Sequence, residues 1–298
     1  MENFILIVLA ISIGYVFNRL RIFPVEAATI LNKFVIFISL PAMILLQIPK
    51  LTLSMDILIP VIIAWIVMTL TAILTLFISS KYRFSKEVTG ALMLVAVLTN
   101  SSFLGIPIIN AYLGDEALPF ILVYDQIGTF LALATYGIFV AAYYSNKSEI
   151  NMQIMAVKIL TFPPFVSLIL ALFFIGTPFP EVISKVLVTL ANTIVPLALV
   201  AVGLQLQLKL PGHEIQPFAI ALFIKLIIAP LIALAIVAMA GWTNLAASVS
   251  VMEAGMAPMV TAGAMASLSG LAPRLSSAIV GYGILISFFT TAVLFKLL

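Results

Sequence analysis

The stretch LIPVIIAWIVMTLTAILTLFI, residues 58–78, decides the fold class. It is apolar on every side, and a run of eighteen or more such residues crosses a hydrocarbon core of ~30 Å. No water is present there to satisfy backbone groups, so a spanning segment must be a helix or part of a closed barrel. Barrel strands alternate apolar and polar residues. This stretch does not alternate, so it reads as a transmembrane helix.

The same pattern recurs along the chain. Of its 298 residues, 64% are hydrophobic and 8% charged. A soluble domain carries about 25% charged residues to cover its surface, so this chain cannot clothe itself for water. Its partner is the lipid bilayer. The net charge of +3 reflects loop lysines and arginines facing a membrane surface. There is no basic cluster of the kind nucleic-acid binding needs, so no nucleic-acid partner is expected. The absence of cysteine excludes disulfides, thiolate metal sites and a cysteine nucleophile. His213 is the single histidine and falls in a loop, so neither a metal site nor a cofactor is expected. The start, MENFILIVLAISIGYVFNRLR, has Glu2 before its apolar stretch and Asn18, Arg19 and Arg21 after it. A signal peptide has the opposite charge order, so this segment reads as a retained first span.

Spans are expected at 3–20, 26–48, 57–79, 88–112, 118–144, 154–176, 182–206, 215–240, 244–270 and 274–297. Pro24, Pro49, Gly114 with Pro119, Pro178 with Pro180, Pro211 with Gly212, and Pro273 separate them, as helix ends require. Asp115 and Glu116 are expected to cap the fifth span. Arg19, Arg21, Lys81, Arg83, Lys86, Lys147, Lys209 and Arg274 fall in loops on one side. Lys50, Lys185 and Lys296 fall on the other. Positive charge stays in the cytoplasm, which places both termini outside it, in a cell (inner or plasma) membrane.

The longest loop, YYSNKSEIN (143–151), lies at the midpoint with five spans on either side. Five is odd, so the second half enters the membrane from the opposite face. If the halves share a fold, an inverted repeat follows, with repeats at 1–145 and 150–298 in one transmembrane domain. Pro41 in the second span matches Pro196 in the seventh. LTNSSFLGIPIINA around Pro107 in the fourth matches VMEAGMAPMVTAG around Pro258 in the ninth. The expectation is an all-α protein of ten helices in a 5+5 inverted repeat. Its fourth and ninth helices are broken, with Gly105, Pro107, Gly255 and Pro258 at the breaks. Interrupted helices at matching positions point to a transporter's binding site, although an isolated proline kink is well tolerated in membranes.

TNSSFLGIPI (99–108), LVYDQIGTFLALATYG (122–137), FIKLIIAPLIAL (223–234) and MEAGMAPMVTAG (252–263) lie in order across both halves. Together they resemble the auxin efflux carrier family. The resemblance implies two broken helices crossing at the midplane, a fold shared in outline with bile acid/sodium symporters and sodium/proton antiporters. It also implies a small organic anion as substrate, from auxin to dicarboxylates such as malonate. Family members often carry two successive prolines at the second break, whereas Ala257 precedes a single Pro258 here. The long central loop of the plant members is absent as well.

A charged residue at a helix centre costs about 2.5–3.5 kcal/mol on insertion scales, yet several spans carry one. Lys158 and Lys33 lie near span ends, where they can snorkel to the interface. Lys225 lies about ten residues from either end of its span, roughly 15 Å from each surface. It is expected to pair with Asp125 or Glu253. A purely structural ion pair is the plainer reading, but one lysine and two acids leave a carboxylate over. That acid either holds a proton or waits for a cation, and Glu253 is favoured for the role. The substrate- or ion-binding set is therefore Asn100, Ser101, Ser102, Asp125, Lys225 and Glu253. Thr99, Asn100, Ser101 and Glu253 would supply oxygens if sodium were the coupling ion, and a proton is the preferred alternative.

The function expected is secondary transport of a carboxylate-class anion by alternating access, ion- or proton-coupled or driven by membrane potential. A sodium-coupled symporter of bile-acid type, a channel-like uniporter and a sensor or receptor remain as alternatives. So does a homodimer as the working assembly. An intramembrane enzyme is the remotest. Tyr124-Asp125 resembles the first motif of intramembrane aspartyl proteases, but Tyr112-Leu113-Gly114-Asp115 has Tyr where the second motif needs Gly. Neither HExxH nor G-x-S-x-G is present.

Overall fold

The computed structural model describes residues 2–24, 26–50, 55–145, 157, 160–177, 179–206 and 214–298. Most of the midpoint loop, together with Lys147, Lys158, Pro178, Lys209, Pro211, Gly212 and His213, lies outside the described residues. Within them every regular element is a helix, and strand-like pairing is confined to a single bridge between Thr99 and Pro258.

In chain order the helices are α1 (Glu2–Arg19), α2 (Ala27–Lys50), α3 (Met55–Lys81), α4 (Lys86–Val95), α5 (Ser101–Leu113) and α6 (Asp115–Tyr144). They continue as α7 (Pro163–Leu172), α8 (Glu181–Gln205), α9 (Ile215–Ala240), α10 (Leu245–Ala254), α11 (Val260–Leu268) and α12 (Pro273–Phe295). Six of them, α2, α3, α6, α8, α9 and α12, are long and apolar enough to cross a membrane. The span expected at 154–176 is represented by α7, its earlier part lying largely outside the described residues. Asp115 and Glu116 occupy the first turn of α6 without a side-chain cap, because Gly114, at φ 79°, takes the turn itself.

Two intervals of equal length interrupt the helical run. Residues 96–100 separate α4 from α5, and 255–259 separate α10 from α11. The second holds Gly255 and Pro258. The first lies ahead of the expected place, since Gly105 and Pro107 are both inside α5. Residues Ser101–Gly105 form a wide π turn, in which Gly105 N–H donates to the Asn100 carbonyl and Ile106 N–H to that of Ser101. Pro107 follows this turn at the start of regular α geometry, where its missing N–H is tolerated.

The helices sort by packing into two groups. In one, α1 lies along the C-terminal half of α8, and α2 packs on α7 and α8. In the other, α3 packs on α6, α9 and α10, while α12 runs along α4 and α11. The groups meet where α5 touches α1 and α8, and where α6 touches α2 and α7. The α1–α8 crossing is a backbone contact. A methyl group on Gly14 would overlap the Val200 carbonyl, and one on Gly203 would overlap that of Ile11. Membrane helices lack a hydrophobic drive to associate, so such close approach of small residues supplies the packing. Gly203→Val is expected to pry α1 off α8 at a cost of about 1–3 kcal/mol or more. Thermal unfolding in detergent should show a lower midpoint, whereas Val8→Ala on the exposed face should leave it unchanged; an unaltered Gly203→Val midpoint would contradict the contact.

Candidate functional site

Each interrupted helix begins with a side-chain cap. Ser85 Oγ accepts from Val88 N–H (3.2 Å) to start α4, and Asn244 Oδ1 accepts from Ala247 N–H (3.0 Å) to start α10. The interruptions then face each other. Asn100 N–H donates to the Ala257 carbonyl at 3.0 Å, and Met259 N–H donates to the Leu98 carbonyl at 3.1 Å. Thr99 and Pro258, the bridged pair, lie the same number of residues past their caps.

Lys225 sits in a π turn of α9, Ile224–Ile228, and is 0% exposed. Its Nζ donates to Thr99 Oγ1 (2.6 Å) on one interruption and to the Ala254 carbonyl (3.0 Å) at the other. This corrects the expectation of a lysine–carboxylate pair, for neither Asp125 nor Glu253 is at contact distance. The carbonyl that ends α10 is released by the interruption and takes the place a carboxylate was expected to fill. The ion pair found among the described residues, Lys185 with Glu181, is on the surface.

Asp125 lies in another π turn, Tyr124–Phe130 of α6, and its carboxylate is fully engaged. Oδ1 accepts from the Ser101 and Ser102 hydroxyls, each at 2.5 Å, and Oδ2 accepts from Gln126 Nε2 at 2.6 Å. The two serines therefore bind an acid of the protein itself. Trp65 Nε1 donates to the Ile127 carbonyl (3.0 Å) within the same π turn, tying α3 to α6.

Glu253, also 0% exposed, is the acid left over. Neither of its carboxylate oxygens has a hydrogen-bond partner among the described residues. It faces the backbone of Gly105, where a methyl group would lie 2.6 Å from Oε1 and 2.7 Å from Oε2. Gly105 thus works through absence of a side chain rather than by breaking a helix. Six further buried side-chain atoms lack hydrogen-bond partners among the described residues: Asn32 Oδ1, Ser79 Oγ and Asn110 Oδ1 lie apart, and Asn100 Nδ2, Gln126 Oε1 and Thr261 Oγ1 belong to residues near the crossing. Sequence reading passed over Gln126 and Thr261 because it weighted charge. Their polarity within apolar runs was the available signal.

Asn100, Gln126 and Thr261 border one cavity of about 110 Å³ between the two helix groups. Asp125, Ser102 and the rings of Phe130 and Phe162 also face it, the rings stacked at 4.0 Å with an 11° tilt. A second cavity of about 680 Å³ runs between the groups from Asn18 and Arg21 to Val260 and Gly263. Among the described residues Arg21 is the one charged side chain lining it, and Lys225, Asp125 and Glu253 do not border it.

Residues 1–295 match the family described as "Membrane transport protein", which is auxin efflux carrier-like. The chain belongs to that family. It is 26% identical over 268 residues to an uncharacterized transporter of Methanothermobacter thermautotrophicus, covering 89% of this chain and 87% of the relative. It is 27% identical over 265 residues to an uncharacterized transporter of Methanocaldococcus jannaschii, covering 86% and 85%. The family and the apolar helices together make this a multi-pass membrane protein of a transport family.

The packing of Gly105 against Glu253 has a measurable consequence. Gly105→Ala is expected to push the Glu253 carboxylate from its place and to reduce transport at least tenfold at normal membrane abundance, an effect of about 1.4 kcal/mol or more. Transport by Gly105→Ala at the wild-type rate would show that the carboxylate's position is unimportant.

Proposed function

We propose that the protein is a secondary transporter of a small carboxylate-class organic anion, working by alternating access and coupled to a proton. The observation that carries this reading is the crossing of two interrupted helices beside a buried carboxylate, Glu253, without hydrogen-bond partners among the described residues, and beside a small, mainly apolar cavity bordered by Asn100, Gln126 and Thr261. Buried polar atoms without partners are rare and costly, so a cluster of them in the membrane interior is best accounted for by a ligand.

The proposal includes ten spans in a 5+5 inverted repeat, 1–145 and 150–298, with α4–α5 and α10–α11 as the broken fourth and ninth members. Matched caps, interruptions of equal length and a bridge between equivalent positions support it. Asn100 and Thr261 would meet the carboxylate of the anion in the 110 Å³ cavity, with Ser101, Ser102 and Asp125 shaping its floor. The larger cavity would be the approach from the arginine-rich side, with Arg21 at its mouth favouring anions. Opening and closing of the gap between the two helix groups would supply alternating access.

A proton fits better than sodium. Sodium needs several oxygen ligands, and part of the oxygen at the crossing is engaged: the Thr99 hydroxyl and Ala254 carbonyl accept from Lys225, and the Leu98 and Ala257 carbonyls accept from backbone N–H groups. Glu253 has no hydrogen-bond partner among the described residues, and a proton requires one carboxylate. Potential-driven uniport by a channel-like route and sodium symport are the outcomes that would displace this reading.

Glu253→Gln mimics a permanently protonated acid. In proteoliposomes it is expected to abolish gradient-driven accumulation while retaining exchange of substrate for substrate; accumulation that survives with its pH dependence unchanged would remove Glu253 from the coupling role. Orientation is tested separately in this cysteine-free chain. Leu298→Cys is expected to react with an impermeant thiol reagent added outside intact cells, and Ser145→Cys is not; labelling of Ser145→Cys would invert the proposed topology.

A further inference from the structure

The small cavity is lined mainly by apolar atoms, and Gln126, which borders it, carries a polar atom without a partner. Its Nε2 is committed to Asp125 Oδ2 at 2.6 Å, which fixes the orientation of the amide. The flipped amide would set two oxygens against each other. Its Oε1 is therefore held as an acceptor, without a partner, on a side chain 1% exposed that lines the cavity. Turning away would release Asp125, whose other oxygen holds Ser101 and Ser102 at the start of α5.

An ionised carboxylate has acceptors only. It can satisfy the amide N–H groups of Asn100, a residue that borders the same cavity, but it offers nothing to Gln126 Oε1. We infer that Gln126 selects ligands that carry an O–H or N–H donor beside their carboxylate, as small hydroxy and amino acids do. The donor meets Gln126 Oε1 on α6. The carboxylate meets Asn100 Nδ2 at the end of the first interruption and the Thr261 hydroxyl on α11. Phe130, Phe162 and Leu40 cover the apolar remainder. The volume of about 110 Å³ restricts that remainder to a few heavy atoms. A plain or dicarboxylic acid of the same size leaves the Gln126 carbonyl unpaired. Sites built around a buried hydrogen-bonding group reject analogues that lack its counterpart.

This inference rests on the small cavity being the substrate site, and matched ligands separate the two claims. The purified full-length protein is titrated with propionate, lactate, alanine and malonate, following affinity by calorimetry and by thermal shift, in wild type and in Gln126→Met. Wild type is expected to bind lactate or alanine about ten- to hundredfold more tightly than propionate and malonate; which of the two binds more tightly identifies the donor. In Gln126→Met that preference is expected to collapse toward unity, with propionate binding unchanged or tighter. A wild-type preference near unity, or one for malonate, overturns the donor requirement, and this arm stands even if the variant does not fold. Preference retained in a folded Gln126→Met overturns the assignment to Gln126. Binding of no carboxylate at all refutes instead the reading of the cavity as an anion site.

Discussion

An unpaired peptide group inside a bilayer costs several kcal/mol, and this constraint governs how two helices of a membrane protein can be interrupted. Each interruption here satisfies the other. Asn100 N–H meets the Ala257 carbonyl and Met259 N–H meets the Leu98 carbonyl, so neither break is stable without its counterpart. The C-terminal ends of α4 and α10 and the N-terminal ends of α5 and α11 are thereby brought together. Partial negative and partial positive helix ends alternate around one point. Lys225 answers the negative pair by donating to the Ala254 carbonyl, and its second bond, to Thr99, fastens the two interruptions together.

The remaining polar groups follow from that crossing. With Lys225 bonded to a carbonyl and a hydroxyl, and Asp125 to two serines and a glutamine, Glu253 has no hydrogen-bond partner among the described residues. Its closeness to the Gly105 backbone keeps it against the first broken helix, although it is carried by the second. The carboxylate of Glu253 therefore bears on α5 as well as on α10. Both cavities lie between the packed helix groups rather than within either. A relative movement of the groups would alter access to both while the α1–α8 contact at Gly14 and Gly203 stays fixed.

Much of the architecture is legible in the sequence, because a bilayer makes apolar run length nearly decisive. The runs around 58–78 and 274–297 become α3 and α12 with small changes at their ends. The first interruption was misplaced for a physical reason. Residues 96–100, AVLTN, hold neither glycine nor proline, and they leave the helix because residues 257–259 offer them other hydrogen bonds. Gly105 and Pro107, the local signals, are absorbed by a π turn. Lys225 was legible as a buried charge needing a partner, but its partner was a carbonyl that exists only because α10 stops. Gln126 stood next to Asp125 in plain view; weighing charges alone hid an uncharged acceptor whose orientation the acid fixes.

The central claim is that the ligand site lies at the crossing. The most direct measurement is the thermal stabilisation of purified protein by a saturating small carboxylate, compared between wild type, Asn100→Ala and Arg21→Asn. Asparagine tolerates the left-handed backbone of position 21 (φ 53°) while removing its charge. Stabilisation of wild type and Arg21→Asn with none in a folded Asn100→Ala is the predicted result. Full stabilisation of Asn100→Ala, with loss confined to Arg21→Asn, would place the ligand in the larger cavity and contradict the account.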